Sequence, residues 1–158
     1  MPARDILNGP NVLVVNDDSD ELDLFSLGLR LEGLQSSGTT SAAQALDLLS
    51  CSDYDVALID LMISEINGLE LARKIRVKHP RVITILMSDY LLSPVQLAKA
   101  NTGVVGFVPK PCRFPDVARF IRAKLESRAE KGNASAVRPE PLGDPHAPFD
   151  VLSVQLAW

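Results

Sequence analysis

Short apolar blocks alternate with longer amphipathic stretches along the chain, and this alternation predicts strands and helices in turn. The apolar blocks are rich in branched residues, which is typical of buried parallel strands. They cover residues 11–16, 34–39, 55–60, 82–87 and 104–108. The second block contains the weak strand sequence Gln35-Ser36-Ser37-Gly38 and is predicted to be an edge strand.

The stretches between the strands carry apolar residues at helical spacing. In the first of them, Leu22, Phe25 and Leu29 share one face, Ser19 is a suitable N-cap, and Gly33 marks the end. The predicted helices cover residues 19–31, 41–51, 68–79, 94–100 and 115–131. Five strand–helix units predict a flavodoxin-like, doubly wound five-stranded parallel sheet with helices on both faces, an α/β fold.

Both ends of the chain differ in composition from the predicted domain, which is expected to span residues 11–131. Residues 1–10 are interpreted as an N-terminal extension, and residues 132–158 contain four prolines among small and charged residues. This composition predicts a disordered tail. Its last stretch, 148–158, turns apolar again and is either a loosely packed end or a short docking segment.

Polar side chains with matching chemistry follow four of the five strands. Asp60 ends the apolar run 56–59, and Asp17, Ser88 and Lys110 lie at the ends of the first, fourth and fifth strands. The carboxyl ends of parallel strands meet at one edge of the sheet, where ligands bind in open α/β folds. Carboxylates, a hydroxyl and a lysine at this edge predict a site for a metal ion and a phosphoryl group.

Composition narrows the classes of function. The 158 residues include 16 basic and 20 acidic ones, and this net charge of −4 argues against nonspecific binding to nucleic acids or to anionic membranes. No apolar run reaches the roughly 20 residues that span a bilayer, and residues 1–11 have no apolar signal core, so a cytoplasmic location is expected. Cys51 and Cys112 lack metal-ligand spacing and are interpreted as reduced structural thiols.

Four motifs, in this order, resemble those of the receiver domain of two-component response regulators. They are VLVVNDD at 12–18, Asp60 followed by Asn67-Gly68, ILMSD at 85–89 and FVPKP at 107–111. The resemblance covers residues 11–128. It implies a domain that takes a phosphoryl group from a histidine kinase or a histidine phosphotransfer protein and signals to an unknown downstream protein.

The resemblance implies a role for each matching residue. Asp60 is expected to be the phosphoacceptor, because a carboxylate can attack phosphorus and form an acyl phosphate. Asp17, Asp60 and the backbone carbonyl of Met62 are expected to bind Mg²⁺, a hard cation that prefers oxygen ligands. Ser88 and Lys110 are expected to bind phosphoryl oxygens, although a serine at a strand end often just satisfies a nearby backbone group.

The resemblance also implies a switch. Phe107 aligns with the aromatic residue whose rotamer reports the active state; the alternative is an ordinary core aromatic. Phosphorylation adds about two negative charges and is expected to change the face made by the helix at 94–100, the fifth strand and the last helix. Receivers bind partners and often pair through this face, so a homodimer is one open alternative. Lys110-Pro111 resembles a family peptide that is often cis.

Two residues depart from the family pattern where the mechanism depends on them. Asn16 stands in the place of the first of two acids, which is expected to lower the affinity for Mg²⁺. Asp89 stands where a small residue is usual. A carboxylate there either repels the phosphoryl group, binds metal, or points into solvent.

Three functions compete. A stand-alone receiver is favoured because the four obligatory groups are present; such a protein catalyses only its own phosphorylation and dephosphorylation. A pseudo-receiver, which binds partners without using phosphate, is the alternative that Asn16 and Asp89 motivate. A metal-dependent phosphatase would need a general acid two residues after Asp60, where this chain has Met62. Direct DNA binding is not expected, since the sequence shows no helix-turn-helix and no basic recognition helix.

Overall fold

Five parallel strands form the centre of the fold in a computed structural model, which describes residues 9–90, 93, 95 and 102–134. In chain order the elements are β1 (Asn11–Val15), α1 (Ser19–Leu31), β2 (Gln35–Thr39), α2 (Ala42–Cys51), β3 (Val56–Asp60), α3 (Gly68–Lys78), β4 (Ile83–Ser88), β5 (Val104–Pro109) and α4 (Phe114–Ala134). The predicted fold class is confirmed, and the strands begin and end within one or two residues of the predicted positions.

The strand order β2-β1-β3-β4-β5 explains where a site can form. β1 pairs with β2 on one side and with β3 on the other, so the direction of winding reverses between β1 and β3. The carboxyl ends of these two strands therefore lie at the topological switch point, where open α/β sheets bind ligands. β2 lies at the edge of the sheet, as its weak sequence predicts.

The sheet separates two hydrophobic clusters. On one face, Val14 of β1 and Leu58 of β3 pack with residues of α1 and α4. On the other face, Val15 and Ile59 pack with residues of α2 and α3. Because successive side chains of a strand point to opposite faces, Asp60 lies on the same side as Leu58, towards α1 and α4.

Helix ends are set by polar side chains, and one predicted cap is wrong. The N-cap of α1 is Asp18 and not Ser19, because the Asp18 carboxylate accepts hydrogen bonds from the backbone N–H groups of Asp20 and Glu21 at 3.0 and 3.1 Å. Asp and Ser are about equally good caps, so composition does not decide between neighbours. Gly33 follows α1 with φ +86°, as predicted for a helix end.

The remaining predictions concern the end of the last helix, the two ends of the chain and the helix expected at 94–100. α4 continues to Ala134, three residues beyond its predicted end at Lys131. The tail from residue 135, residues 1–8 and most of the helix predicted at 94–100 lie outside the described residues. None of the helices in the described part of the chain combines the length and the hydropathy that crossing a membrane requires.

Candidate functional site

Asp60 lies at the carboxyl end of β3, the central strand, with only 5% of its surface exposed. Its two carboxylate oxygens have different partners. Oδ1 accepts a hydrogen bond from the backbone N–H of Met62 at 2.9 Å, and Oδ2 accepts one from the ammonium of Lys110 at 2.6 Å. Donors on both oxygens fix the orientation of the carboxylate and compensate for its burial.

Lys110 joins two carboxylates. Its Nζ lies 2.6 Å from Asp60 and 2.9 and 3.0 Å from the two oxygens of Glu21, and its side chain is only 7% exposed. Burial acts to lower the pKa of Lys110, but the hydrogen bonds and negative charges of Asp60 and Glu21 outweigh it and raise the pKa above its ordinary value of 10.5. The ammonium therefore stays charged at neutral pH, as binding a phosphoryl group would require.

The backbone around Lys110 connects β5 to β4. The N–H of Lys110 donates to the carbonyl oxygen of Ser88 at 2.8 Å, which continues the pairing of the two strands to the site edge. The Lys110–Pro111 peptide bond is cis, the isomer that the matching family peptide often adopts. Burial raises the pKa of the nearby Cys112 thiol from 9.0 to about 11, and both cysteines are free.

Glu21 is a site residue that the sequence reasoning missed. It lies in the first turn of α1, where an acidic residue is explained by the helix dipole alone. In the structure, the side-chain N–H of the buried Asn16 donates to the Glu21 carboxylate, and Asn16 Oδ1 accepts the backbone N–H of Asp18 at 3.0 Å. The sequence did contain a signal for this role of Glu21. Position 16 has an amide where an acid is usual, and Glu21 offers an acid in the first turn of α1.

Ser88 is the last residue of β4 and Asp89 follows it, and the two residues differ in burial. Ser88 is buried, and its hydroxyl oxygen accepts the backbone N–H of Tyr90 at 2.9 Å, which is the backbone-satisfying role foreseen as the alternative. The Asp89 side chain is 72% exposed, yet Oδ2 lies 3.8 Å from the Lys110 ammonium. Asp89 thus sits on the solvent side of the same charged cluster.

Two of the three residues expected to bind Mg²⁺ are exposed, whereas the third, Asp60, is buried. Asp17 and Met62 are exposed beyond the ends of β1 and β3, which are neighbouring strands. Among the described residues, no group of three or more His, Cys, Asp and Glu is arranged to hold a metal. The expected donor set is smaller, with two carboxylates and one backbone carbonyl. These hard oxygen donors fit Mg²⁺, which usually keeps several water or phosphate ligands.

Phe107 is fully buried in β5 and belongs to the cluster packed by α2 and α3. This burial agrees with the alternative of an ordinary core aromatic. A buried phenyl ring can also report a switch through packing alone, because it has no hydroxyl to bond. Its role in switching stays a prediction.

Comparisons with known proteins agree with this geometry. The family model of the response regulator receiver domain matches residues 12–122, more than half of the chain. The alginate biosynthesis transcriptional regulatory protein AlgB of Pseudomonas putida is 29% identical over 95% of this chain and 35% of its own length. The heme response regulator HssR of Staphylococcus epidermidis is 30% identical over 73% of this chain and 51% of its own length. The chain thus spans between a third and about half of these curated relatives.

Solved structures show the same fold. A CheY-like receiver domain protein from Methanospirillum hungatei superposes with a TM-score of 0.71 at 24% identity, covering 78% of this chain and 99% of that one. The response regulator protein TrrA of Thermotoga maritima, solved in complex with Mg²⁺–BeF, gives a TM-score of 0.65 at 26% identity, covering 73% and 98%. Fold, strand-end chemistry and family match agree, and the chain belongs to the receiver domain family of two-component response regulators.

Proposed function

We propose that this chain accepts a phosphoryl group on Asp60 from a phosphohistidine of a histidine kinase or a phosphotransfer protein, and that it passes the signal on by protein contact. The observation that carries the proposal is the buried Asp60 carboxylate, which is bonded on one oxygen by Lys110 at 2.6 Å and on the other by a backbone N–H. The AlgB and HssR relatives are longer regulators, and this proposal does not extend to the parts of those proteins that this chain does not cover.

The chemistry follows from the Asp60 carboxylate. One of its oxygens forms a bond to phosphorus, and the bond from phosphorus to the histidine nitrogen breaks, with its electron pair remaining on the imidazole. The product is an aspartyl phosphate. Lys110 can then place its positive charge against the phosphoryl oxygens, where negative charge accumulates in the transfer.

Mg²⁺ bound by Asp17, Asp60 and the carbonyl of Met62 would neutralise negative charge between the carboxylates and the incoming phosphoryl group. The chain's own part is to orient the acceptor and to hold the counter-charge. Two exposed groups, Asp17 and Met62, remain accessible for this role, while Asp60 is fixed by its hydrogen bonds.

Ser88 is suited to transmit the phosphorylation of Asp60 to the loop that follows β4. A hydroxyl that accepts one hydrogen bond still has its own proton to donate. Ser88 can therefore donate to a phosphoryl oxygen while it accepts the N–H of Tyr90. A movement of Ser88 towards the phosphoryl group would pull this loop with it, which is how a local charge change reaches a partner surface.

A pseudo-receiver is the second candidate, and two observations favour it. Asn16 removes one acid from the usual pattern, and Asp89 places a carboxylate 3.8 Å from the lysine that would bind the phosphoryl group. In this reading the domain binds partners through its surface, and Asp60 with Lys110 is a buried ion pair of structural value only.

Intact-mass measurement with Mg²⁺ and acetyl phosphate decides between the two candidates. We expect a Mg²⁺-dependent gain of one phosphoryl mass, which is absent from Asp60→Asn, a control that keeps the shape of the side chain. If neither an adduct nor binding of beryllofluoride is detected, the phosphoacceptor function is wrong and the pseudo-receiver is favoured.

A further inference from the structure

The buried lysine has a carboxylate partner that lies outside all four receiver motifs. Glu21 contacts Lys110 with both oxygens, at 2.9 and 3.0 Å, and its side chain is 28% exposed. On its other side, Glu21 Oε2 accepts a hydrogen bond from the side chain of Asn16, which is buried at the end of β1. The three side chains form a continuous chain from the first strand to the last.

We propose that Glu21 is a positioning residue for Lys110, and that it supplies from α1 the carboxylate that position 16 lacks. The inference rests on the proposed function, since it concerns the lysine of that same site. With Glu21 included, the site holds the carboxylates of Asp17, Glu21 and Asp60 and one ammonium. Glu21 thus brings to the buried lysine the carboxylate that is missing at position 16, while the exposed Asp89 lies farther away, at 3.8 Å on the solvent side.

Local structure explains why Glu21 can reach the lysine. The backbone N–H of Glu21 is capped by the Asp18 side chain at 3.1 Å, which fixes the first turn of α1 beside the end of β1. The Asn16 amide then orients the Glu21 carboxylate, because its N–H can donate where an aspartate could only accept. Asn16 is therefore the residue that this arrangement needs.

With Glu21 in this role, Asn16→Asp should damage the site and not restore it. An aspartate at 16 would place a carboxylate against that of Glu21, with the loss of the hydrogen bond and the gain of like-charge repulsion. With glutamine at 21, the same aspartate would face an amide and could bind the lysine directly. The effect of Asn16→Asp should thus change sign with the residue at position 21.

The first readout is the rate of phosphorylation by acetyl phosphate, followed by intact mass in saturating Mg²⁺. We expect Glu21→Gln to lower the rate about tenfold, because Lys110 loses the contact that places it. The double variant Asn16→Asp/Glu21→Gln should return to within about threefold of the wild type. Asp20→Asn is the matched control, since it removes an exposed acid from the same helical turn and should leave the rate unchanged.

The second readout needs neither metal nor phosphate. In EDTA at neutral pH, we expect Asn16→Asp to lower the thermal unfolding midpoint by roughly 3–6 °C in the wild-type background. In the Glu21→Gln background it should raise the midpoint. This cycle tests the coupling of positions 16 and 21 even if the wild type proves unable to accept a phosphoryl group, so failure of the proposed function is distinguishable from failure of this inference.

Either of two results overturns the proposal. One is a change in the thermal unfolding midpoint on Asn16→Asp that has the same sign and size with glutamate and with glutamine at position 21. Positions 16 and 21 would then act independently. The other is a double variant as slow as Glu21→Gln in a wild type that is phosphorylated, because a carboxylate at 16 would then be unable to replace the one at 21.

Discussion

The site has a buried half and an exposed half, which differ in how their polar groups are satisfied. The buried half consists of Asp60, Lys110 and Asn16, whose polar atoms are bonded to other protein groups. The exposed half consists of Asp17 and Asp89, which face solvent beyond the ends of β1 and β4. Folding completes the first half, whereas the second half is left accessible to incoming groups.

The difference follows from the cost of burying charge. A charge that leaves water is strongly destabilising unless a partner compensates for it, so the buried half has to be assembled when the chain folds. Exposed carboxylates keep their hydration and need no protein partner. Substitutions in the buried half should therefore change the free energy of unfolding, while those in the exposed half should change ligand binding. The free energy of unfolding in metal-free buffer is a common scale on which substitutions in the two halves can be compared.

Gly68→Ala should have the largest effect, because the first residue of α3 touches the backbone of the acceptor. A Cβ at Gly68 would lie 2.4 Å from the carbonyl oxygen of Asp60 and 2.9 Å from the Cα of Leu61. We expect a loss of about 2–3 kcal/mol in urea unfolding and slower phosphorylation. Lys74→Ala, at an exposed position of the same helix, should be nearly neutral; equal losses for both variants would refute the steric explanation.

Lys110→Met should have the second largest effect on stability. Removing the ammonium leaves the carboxylates of Asp60 and Glu21 close together without their counter-charge. We expect a loss of roughly 2 kcal/mol, below the value for a fully buried pair because Glu21 is partly exposed. Chemical unfolding at neutral pH measures it. A variant more stable than the wild type would mean that the desolvation of the lysine outweighs its two ion pairs.

Alkaline pH tests the contribution of the same lysine to stability, because it removes the charge of Lys110 without a substitution. The pKa of Lys110 is raised above 10.5 in the folded protein, so its contribution to stability is fully present below that value and is lost as the pH rises through the folded pKa. The stability difference between wild type and Lys110→Met should be constant between about pH 7 and pH 10, and should shrink above 10.5. A difference that stays constant through strongly alkaline pH would contradict the raised pKa.

Asp17→Asn should leave the free energy of unfolding within about 0.5 kcal/mol, because the side chain is exposed. Its effect should appear in calorimetric titration with Mg²⁺. We expect the affinity to fall by about tenfold or more, because the variant lacks a carboxylate ligand of the metal. Asp20→Asn again serves as the control for a lost surface charge. An unchanged affinity for Mg²⁺ would remove Asp17 from the metal site.

Asp89→Ala should have the smallest effect. Its carboxylate is 72% exposed and 3.8 Å from the lysine, the geometry of a weak surface pair. We expect a change within about 0.3 kcal/mol in stability, and a phosphorylation rate within about threefold of the wild type. A tenfold faster rate would show that Asp89 repels the phosphoryl group, and would move this residue into the half of the site that governs chemistry.

The sequence predicted the parts of the molecule that depend on local pattern. The apolar run before Asp60 predicted a buried parallel strand, and the rule that strand ends meet at one edge of the sheet predicted that Lys110 and Ser88 lie near Asp60. The role of Glu21 could not be predicted this way, because it depends on how the first turn of α1 lies over the end of β1. In isolation, an acid at that position is explained by the helix dipole. The choice between Asp18 and Ser19 as cap likewise depends on backbone direction.

β3 lies between β1 and β4, and all five of its residues are buried. Amide protons in such a strand exchange with solvent only when the fold opens as a whole, which is rare in a stable domain. The backbone that carries Asp60 should therefore be among the slowest parts of the chain to exchange. The proposed phosphoryl group on Asp60 would thus be attached to backbone that rarely opens, and its loss would come from hydrolysis of the acyl phosphate bond and not from opening of the strand.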